Sequence, residues 1–249
     1  MTTTIPPTAT QPTTERTCSL TPGQCHAWMI PVRPRPEWII WLDARERERL
    51  NALGPGYAAD ILVTSRAAQR LIGSRYLGLP AQSLRINRVC GFCGALHGRP
   101  RFEGADIDYS VSHTKDWLLF AVVGQGLVGA DIDRLDPGQD PEGLAAVTLS
   151  PSERRSFERL PGTERAGSFL SSWTRKEAAM KLTGHGLAAV PSRVDVSGPQ
   201  VAVNGVPDWP DTPVHLSDLQ APAGHTAALA TTVPLTDIRV LTLPESWAR

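Results

Sequence analysis

Neither sign of charge prevails in this sequence. The 25 lysines and arginines balance 25 aspartates and glutamates, which argues against broad nucleic-acid binding while leaving room for a local basic patch. No apolar run approaches the length of a membrane span. The opening Met1-Thr2-Thr3-Thr4 lacks the basic and apolar regions of a secretion signal. The expectation is a cytoplasmic protein that engages neither membrane nor nucleic acid. Cysteine is scarce: Cys18, Cys25, Cys90 and Cys93 are the four. Of these, Cys90-Gly91-Phe92-Cys93 has metal-like spacing, but no matching second pair exists. Structural zinc would need two further ligands. His97 is the nearest candidate, with Cys18, Cys25 and His26 far off in sequence, so the spacing predicts reduced thiols beside a turn. Large apolar groups are nearly missing from the Thr- and Pro-rich start, so residues 1–27 are expected to form a disordered tail.

What remains is long enough to bury a core as one large domain or two small ones. Trp38-Ile39-Ile40-Trp41-Leu42 is a continuous apolar run that predicts a buried strand. Asp43 followed by Glu46 has capping-box spacing for a charged helix. After a Gly54-Pro55-Gly56 turn, Ile61, Leu62, Leu71, Ile72 and Tyr76 fit a helix over 57–77. Arg66 and Arg70 sit four apart on its polar side, either as solvated charges or as the wall of an anion pocket. Residues 91–104 read as loop, and 108–123 as strand, turn and strand. Leu127 to Asp133 predicts a third strand, on which Asp131 and Asp133 share one side. Ser150-Pro151-Ser152-Glu153 marks a helix start; that helix runs to about Leu160, broken by Gly162. In the next helix Phe169, Trp173 and Met180 form an apolar stripe, and Glu177 and Lys181 are one turn apart. Short β-branched runs at 194–196, 201–203 and 238–240 suggest a closing antiparallel sheet.

Three acids thus come from two elements: Asp131 and Asp133 from a strand end, Glu177 from a helix. Glu177 and Lys181 read alone are a solvated ion pair. Hard oxygen ligands without histidine or thiolate instead favour magnesium, which fills its remaining positions with water and phosphate oxygens. Such a site implies a phosphorylated substrate, which Lys181, His113, Arg99 and Arg70 would suit.

Val128-Gly129-Ala130-Asp131-Ile132-Asp133, followed about forty residues later by Trp173-Thr174-Arg175-Lys176-Glu177-Ala178-Ala179-Met180-Lys181, resembles the paired signature of the 4′-phosphopantetheinyl transferases. Tyr109-Ser110-Val111-Ser112-His113-Thr114 is similar to the family's serine–histidine segment, and His97-Gly98-Arg99-Pro100 to its glycine–basic–proline turn. The order best fits the monomeric, surfactin-synthetase-activating type, over roughly residues 38–243. The resemblance implies an α+β fold of two similar halves with pseudo-twofold symmetry, each a small antiparallel sheet packed on helices. The halves would be 28–124 and 125–249, with coenzyme A in the cleft between them.

The implied reaction transfers 4′-phosphopantetheine from coenzyme A to a serine of an apo acyl or peptidyl carrier protein and releases 3′,5′-ADP. Fatty-acid, polyketide or nonribosomal-peptide carriers are the implied partners. By the same resemblance Asp131, Asp133 and Glu177 hold magnesium (or manganese). Glu177 takes the serine proton and Lys181 stabilises the leaving phosphate. Ser112 and His113 contact the phosphates and Arg99 lies along the adenosine 3′-phosphate, while Lys176 occupies a matching position. Two positions depart from the pattern. Ile61 stands where the family often has an arginine for the 3′-phosphate, leaving Arg66 or Arg70 to take over, and Asp133 stands where glutamate is frequent. A magnesium-dependent nucleotide pyrophosphate hydrolase explains the acids and Lys181 but not the paired signature. A silent coenzyme A or carrier-binding module leaves Glu177 and Lys181 without purpose.

Overall fold

The computed structural model describes residues 18–91, 93–134, 138–244 and 247. Its first part comprises β1 (Gln24–Pro31), α1 (Ala44–Leu53), α2 (Tyr57–Leu77), β2 (Ile86–Asn87), β3 (Arg101–Phe102), β4 (Asp108–His113) and β5 (Trp117–Val123). Then come β6 (Val128–Arg134), α3 (Pro141–Thr148), α4 (Pro151–Glu158), α5 (Gly162–Thr183), β7 (Val194–Asp195), β8 (Ala202–Val203), β9 (His215–Leu219), β10 (His225–Thr231) and β11 (Asp237–Thr242). The result is a mixed α+β fold of small sheets and helices.

One sheet runs β11-β1-β5-β4 and a second runs β6-β10-β9; β2-β3 and β7-β8 are short ribbons. Period-2 alternation sorts the residues of the two main sheets into layers. On β1 and β5, Trp28, Ile30, Leu118, Phe120 and Val122 face a core shared with Leu71, Ile72 and Tyr76 of α2. Their neighbours Ala27, Met29, Leu119 and Ala121 face the second sheet, meeting Val128, Ala130 and Ile132 of β6 and Leu229 of β10. The other side of that sheet, Ala228 and Ala230, packs on Ala178, Ala179 and Leu182 of α5. Helix, sheet, sheet and helix are therefore stacked, and the strand residues between Val128, Ala130 and Ile132 look toward α5.

Several local expectations are met. Asp43 and Ser150 each complete a reciprocal capping box, with Glu46 and Glu153 respectively. The helix over 57–77 forms with those limits. Others are corrected. Residues 38–41 lie in a 3-10 helix, Pro36–Trp41, not a strand. Pro36 at its first turn presets the helical φ, and the apolar residues divide between Trp38, fully buried, and Ile40, 61% exposed. The strand in that region is β1, every residue of which is buried except Pro31. It starts inside the stretch expected to be a tail, of which residues 1–17 lie outside the described residues. The helix that starts at Pro151 ends at Glu158, short of Leu160, and Gly162, expected to break it, opens α5.

The expectation of purely antiparallel sheets also needs correction, because β11 lies parallel to β1. A tight hairpin forces antiparallel pairing, but β11 arrives from the other sheet and is free of that constraint. This last strand, from the second half of the chain, completes the sheet of the first. Among the described residues no helix is long and apolar enough to cross a membrane.

Candidate active site

β4 and β6 border the two sheets side by side, joined by side chains rather than a backbone ladder. Asp108 accepts the Val128 N–H at 2.7 Å, and Ser110 Oγ accepts the Ala130 N–H at 3.0 Å. Ser112 Oγ donates to Asp131 Oδ1 at 2.7 Å. The three β4 residues are two apart and so share a face. The alternation of small polar and apolar groups in the sequence is thereby explained. Arg99 reinforces the seam: its guanidinium grips both Asp108 carboxylate oxygens and donates to the Val128 carbonyl at 2.7 Å.

Gly129 brings α5 onto this seam. A Cβ at that position would lie 1.9 Å from the Ala178 carbonyl oxygen and 2.6 Å from the Leu182 nitrogen. Only glycine permits so close an approach. The closeness delivers Lys181, whose Nζ donates to Asp131 Oδ1 at 2.6 Å and to Ser112 Oγ at 2.8 Å. Asp131 is buried, and Asp133 and Glu177 are half-buried beside it. Burial pushes the Glu177 carboxyl above the ordinary range; Asp131 and Asp133 add to this against the opposing pull of Lys181. Asp133 is likewise raised, first by desolvation and then by Asp131, against the hydrogen bond it accepts from the Arg134 N–H.

A divalent cation implied by such a donor set would meet hard oxygens and an excess of negative charge, which suits magnesium. Asp131, Asp133 and Glu177 do not bring three carboxylate oxygens within 4.8 Å of one another. That spacing fits an ion retaining waters between itself and one of them.

Two clefts flank the seam. One, of about 560 Å³, is lined by Lys181, Met180, Ser110, Arg99 and the segment 184–188. The other, of about 540 Å³, is lined by Arg49, Ile61, Arg66, Arg88 and His113. The hairpin bearing His97, Gly98 and Pro100 stands between them and lines both. Desolvation, with repulsion from Arg88 and Arg49, pushes the Arg66 guanidinium down to about 10. His113 is crowded by protein, though its outer edge is exposed. Desolvation lowers its pKa, and Lys181 and Arg66 lower it further. Positive charge outweighs negative here: Glu46 lies 3.4 Å from Arg66 and 3.7 Å from Arg88, and Arg49 and Arg88 belong to the site although the sequence reading did not single them out. They lie on different elements, so no spacing rule joins them.

The predicted set is therefore divided. Ser112, Asp131, Lys181, Asp133 and Glu177 converge, and Arg66 and His113 line the adjoining cleft. Arg70 does not: it is buried and bonds Glu46 at 2.8 Å and Asp43 at 3.1 Å, bracing α1 against α2. Lys176 does not either. It is fully buried, 2.6 Å from Glu153, and donates to the carbonyls of Pro191 and Val194. Five residues before Lys181 on a helix, it points to another face. Arg99 stays at the seam with its guanidinium engaged by Asp108.

Residues 127–230, from the approach to β6 into β10, match the family described as the 4′-phosphopantetheinyl transferase superfamily. This region of the chain belongs to that superfamily. Among curated members of that superfamily, the 4′-phosphopantetheinyl transferase HetI of Nostoc sp. is 28% identical over 179 residues, covering 68% of this chain and 73% of HetI. The 4′-phosphopantetheinyl transferase AcpT of Salmonella typhimurium is 28% identical over 138 residues, covering 55% of this chain and 71% of AcpT. The matched superfamily region contains Asp131, Asp133, Glu177 and Lys181, whereas Ser112, His113 and Arg66 come from the chain before it.

Proposed function

We propose that the protein transfers the 4′-phosphopantetheine of coenzyme A to a serine of an apo acyl or peptidyl carrier protein and releases 3′,5′-ADP. It would act as a monomer of two halves, 28–124 and 125–249, related by a pseudo-twofold axis, in fatty-acid, polyketide or nonribosomal-peptide synthesis. The observation that carries the reading is the convergence of Lys181, Ser112 and Asp131 beside Glu177, next to a cleft lined by Arg49, Arg66, Arg88 and His113. One arm of the site handles a pyrophosphate and a proton; the other collects an additional phosphate.

Glu177 is the general base. Its raised pKa makes it a better proton acceptor for a hydroxyl than an ordinary carboxylate. The serine oxygen forms a bond to the β-phosphorus of coenzyme A as the bond from that phosphorus to the bridging oxygen breaks. Lys181 meets the negative charge that develops on the departing phosphate, and Ser112 holds the Lys181 ammonium toward it. Asp131, Asp133 and Glu177 would hold magnesium or manganese, which when bound neutralises pyrophosphate charge. Arg66, aided by Arg49 and Arg88, receives the adenosine 3′-phosphate, a role Ile61 cannot fill from the same cleft.

Incubation with coenzyme A, magnesium and an apo carrier protein, followed by mass measurement of the carrier, tests the reading. A gain of one phosphopantetheine is expected. Free hydrolysis products with an unchanged carrier, or coenzyme A binding without turnover, would overturn it.

A further inference from the structure

The hairpin between the clefts carries a cluster that the proposed chemistry leaves unused. Its arms, 88–90 and 95–98, are joined by the Gly98 N–H to the Arg88 carbonyl and the Cys90 N–H to the Ala95 carbonyl, both at 2.7 Å. The Gly94 N–H closes the tip on the Cys90 carbonyl at 2.9 Å. Gly94 has φ +71, a left-handed conformation that glycine adopts without penalty. It turns the chain so that Cys93 comes back toward Cys90. Across the hairpin, a Cβ on Gly98 would meet the Cys90 Cα and the Val89 carbonyl oxygen at 2.6 Å. Glycine there lets the arm bearing His97 lie directly on the Cys90 backbone.

As a result the Cys90 and Cys93 sulfurs and a ring nitrogen of His97 all lie within 4.8 Å of one another. Cys93 Sγ is 3.0 Å from His97 Nε2. Among the described residues this is the one group of three metal-ligating side chains so gathered. Spacing alone predicts two reduced thiols beside a turn; the hairpin supplies a third ligand. Two other candidates are engaged elsewhere. Cys25 is fully buried in β1, and His26 is tied to the Tyr76 hydroxyl at 2.7 Å.

We propose that Cys90, Cys93 and His97 bind a zinc ion, with water in the fourth position, and that the ion staples the hairpin. Two thiolates and an imidazole select zinc over the hard cations that carboxylates take. Zinc bonds of about 2.3 Å to sulfur and about 2.0 Å to nitrogen separate tetrahedral ligand atoms by roughly 3.5–3.8 Å. Cys93 and His97 are exposed and reach that spacing by side-chain rotation. Cys90, buried, anchors the site. Uptake releases the thiol protons and ties together residues three and seven apart, so binding opposes unfolding of the hairpin. The segment so fixed continues directly into Arg99 and its clamp on Asp108. If the proposed transferase function holds, loading with zinc also shapes the walls of both clefts and lowers the KM for coenzyme A. The zinc site itself does not depend on that function.

The full-length chain, reduced, incubated with zinc and dialysed free of unbound metal, is expected to retain one zinc per chain by elemental analysis. Cobalt(II) in its place should give intense near-ultraviolet thiolate-to-metal absorption and visible bands of tetrahedral coordination. Cys93→Ser and His97→Ala, both at exposed positions, should keep the wild-type circular dichroism and retain at least tenfold less zinc. Wild type that retains no zinc, variants that retain as much as wild type, or a Cys90–Cys93 disulfide in place of the metal under reducing conditions would each overturn the proposal. No coenzyme A or carrier enters these measurements. A chain that binds zinc but transfers nothing refutes only the proposed function, and a chain that transfers without binding zinc refutes only the site.

Discussion

Asp131 is the residue on which the site converges: it accepts from both Ser112 and Lys181 through one carboxylate oxygen. Removing it would release both partners and take away a proposed metal ligand, so Asp131→Ala should abolish transfer. Asp133 is half-buried at the open end of β6, and aspartate is one methylene shorter than glutamate. Magnesium holds ligands near about 2.0–2.1 Å and keeps water readily, so a water can bridge from Asp133 to the ion. Asp133→Glu should therefore be tolerated and tighten metal dependence. Titrating magnesium against turnover in both variants checks this, and equal inactivity would show Asp133 to be a direct ligand. Glu177→Gln preserves shape but removes the proposed base and should lower turnover by roughly 100-fold or more with coenzyme A still bound. Lys181→Ala should cost roughly tenfold to 100-fold, the range for losing a charged hydrogen bond. Single-turnover kinetics beside a binding titration separate the two effects.

At the scale of elements, the approach of α5 to β6 decides whether the site exists. Gly129→Ala forces the helix away from the strand. Overpacking of this kind costs about 1–3 kcal/mol, and here it also separates Lys181 from Asp131. Gly167, within α5, has open space where its Cβ would be, so Gly167→Ala should be neutral or stabilising by about 0.4–1 kcal/mol. Thermal unfolding of the pair, with turnover of each, tests the contrast. The start of α4 has its own acid sensitivity. Burial raises the Asp195 pKa, but hydrogen bonds from Ser150, Ser152 and Ser197 outweigh it and hold the group well below the ordinary carboxylate range. A depressed folded pKa stabilises fully above the unfolded value of about 3.9 and is lost as pH falls toward the folded one. Asp195→Asn should flatten the acid limb of a stability–pH profile below about pH 4 and lower stability at neutral pH, where the ionised group contributes in full. An unchanged acid limb would count against this assignment.

For the whole molecule, β1 is the strand that holds the first sheet together, flanked by β5 and β11. Deleting residues 1–17, which contain few large apolar groups, should leave the melting temperature unchanged, whereas deletion through Met29 should prevent folding. Circular dichroism of the two truncations decides it. Much of this architecture is legible in the chain itself, because its signals are local. Capping boxes need three residues, helix stripes repeat every turn, and alternation sets Asp131 and Asp133 on one side of a strand. The paired motif around Asp131 and Glu177 was legible for the same reason, and with it the family. What lay beyond reach depends on partners distant in sequence. The His225–Thr231 strand is rich in alanine and reads poorly as β; it is a strand because Ala228 and Ala230 fit beneath α5 while Leu229 fills the core between the sheets. Lys176 and Lys181 look alike in sequence, yet Glu153 buries one and Asp131 recruits the other. Arg70 and Arg66 both reach Glu46, but Arg70 is also held by Asp43 and is buried, whereas Arg66 lines the cleft. Local spacing determined which side chains this protein has available at each turn; only packing between elements decided which of them face the cleft and which hold the fold together, because a charge goes where a countercharge from another element compensates its burial.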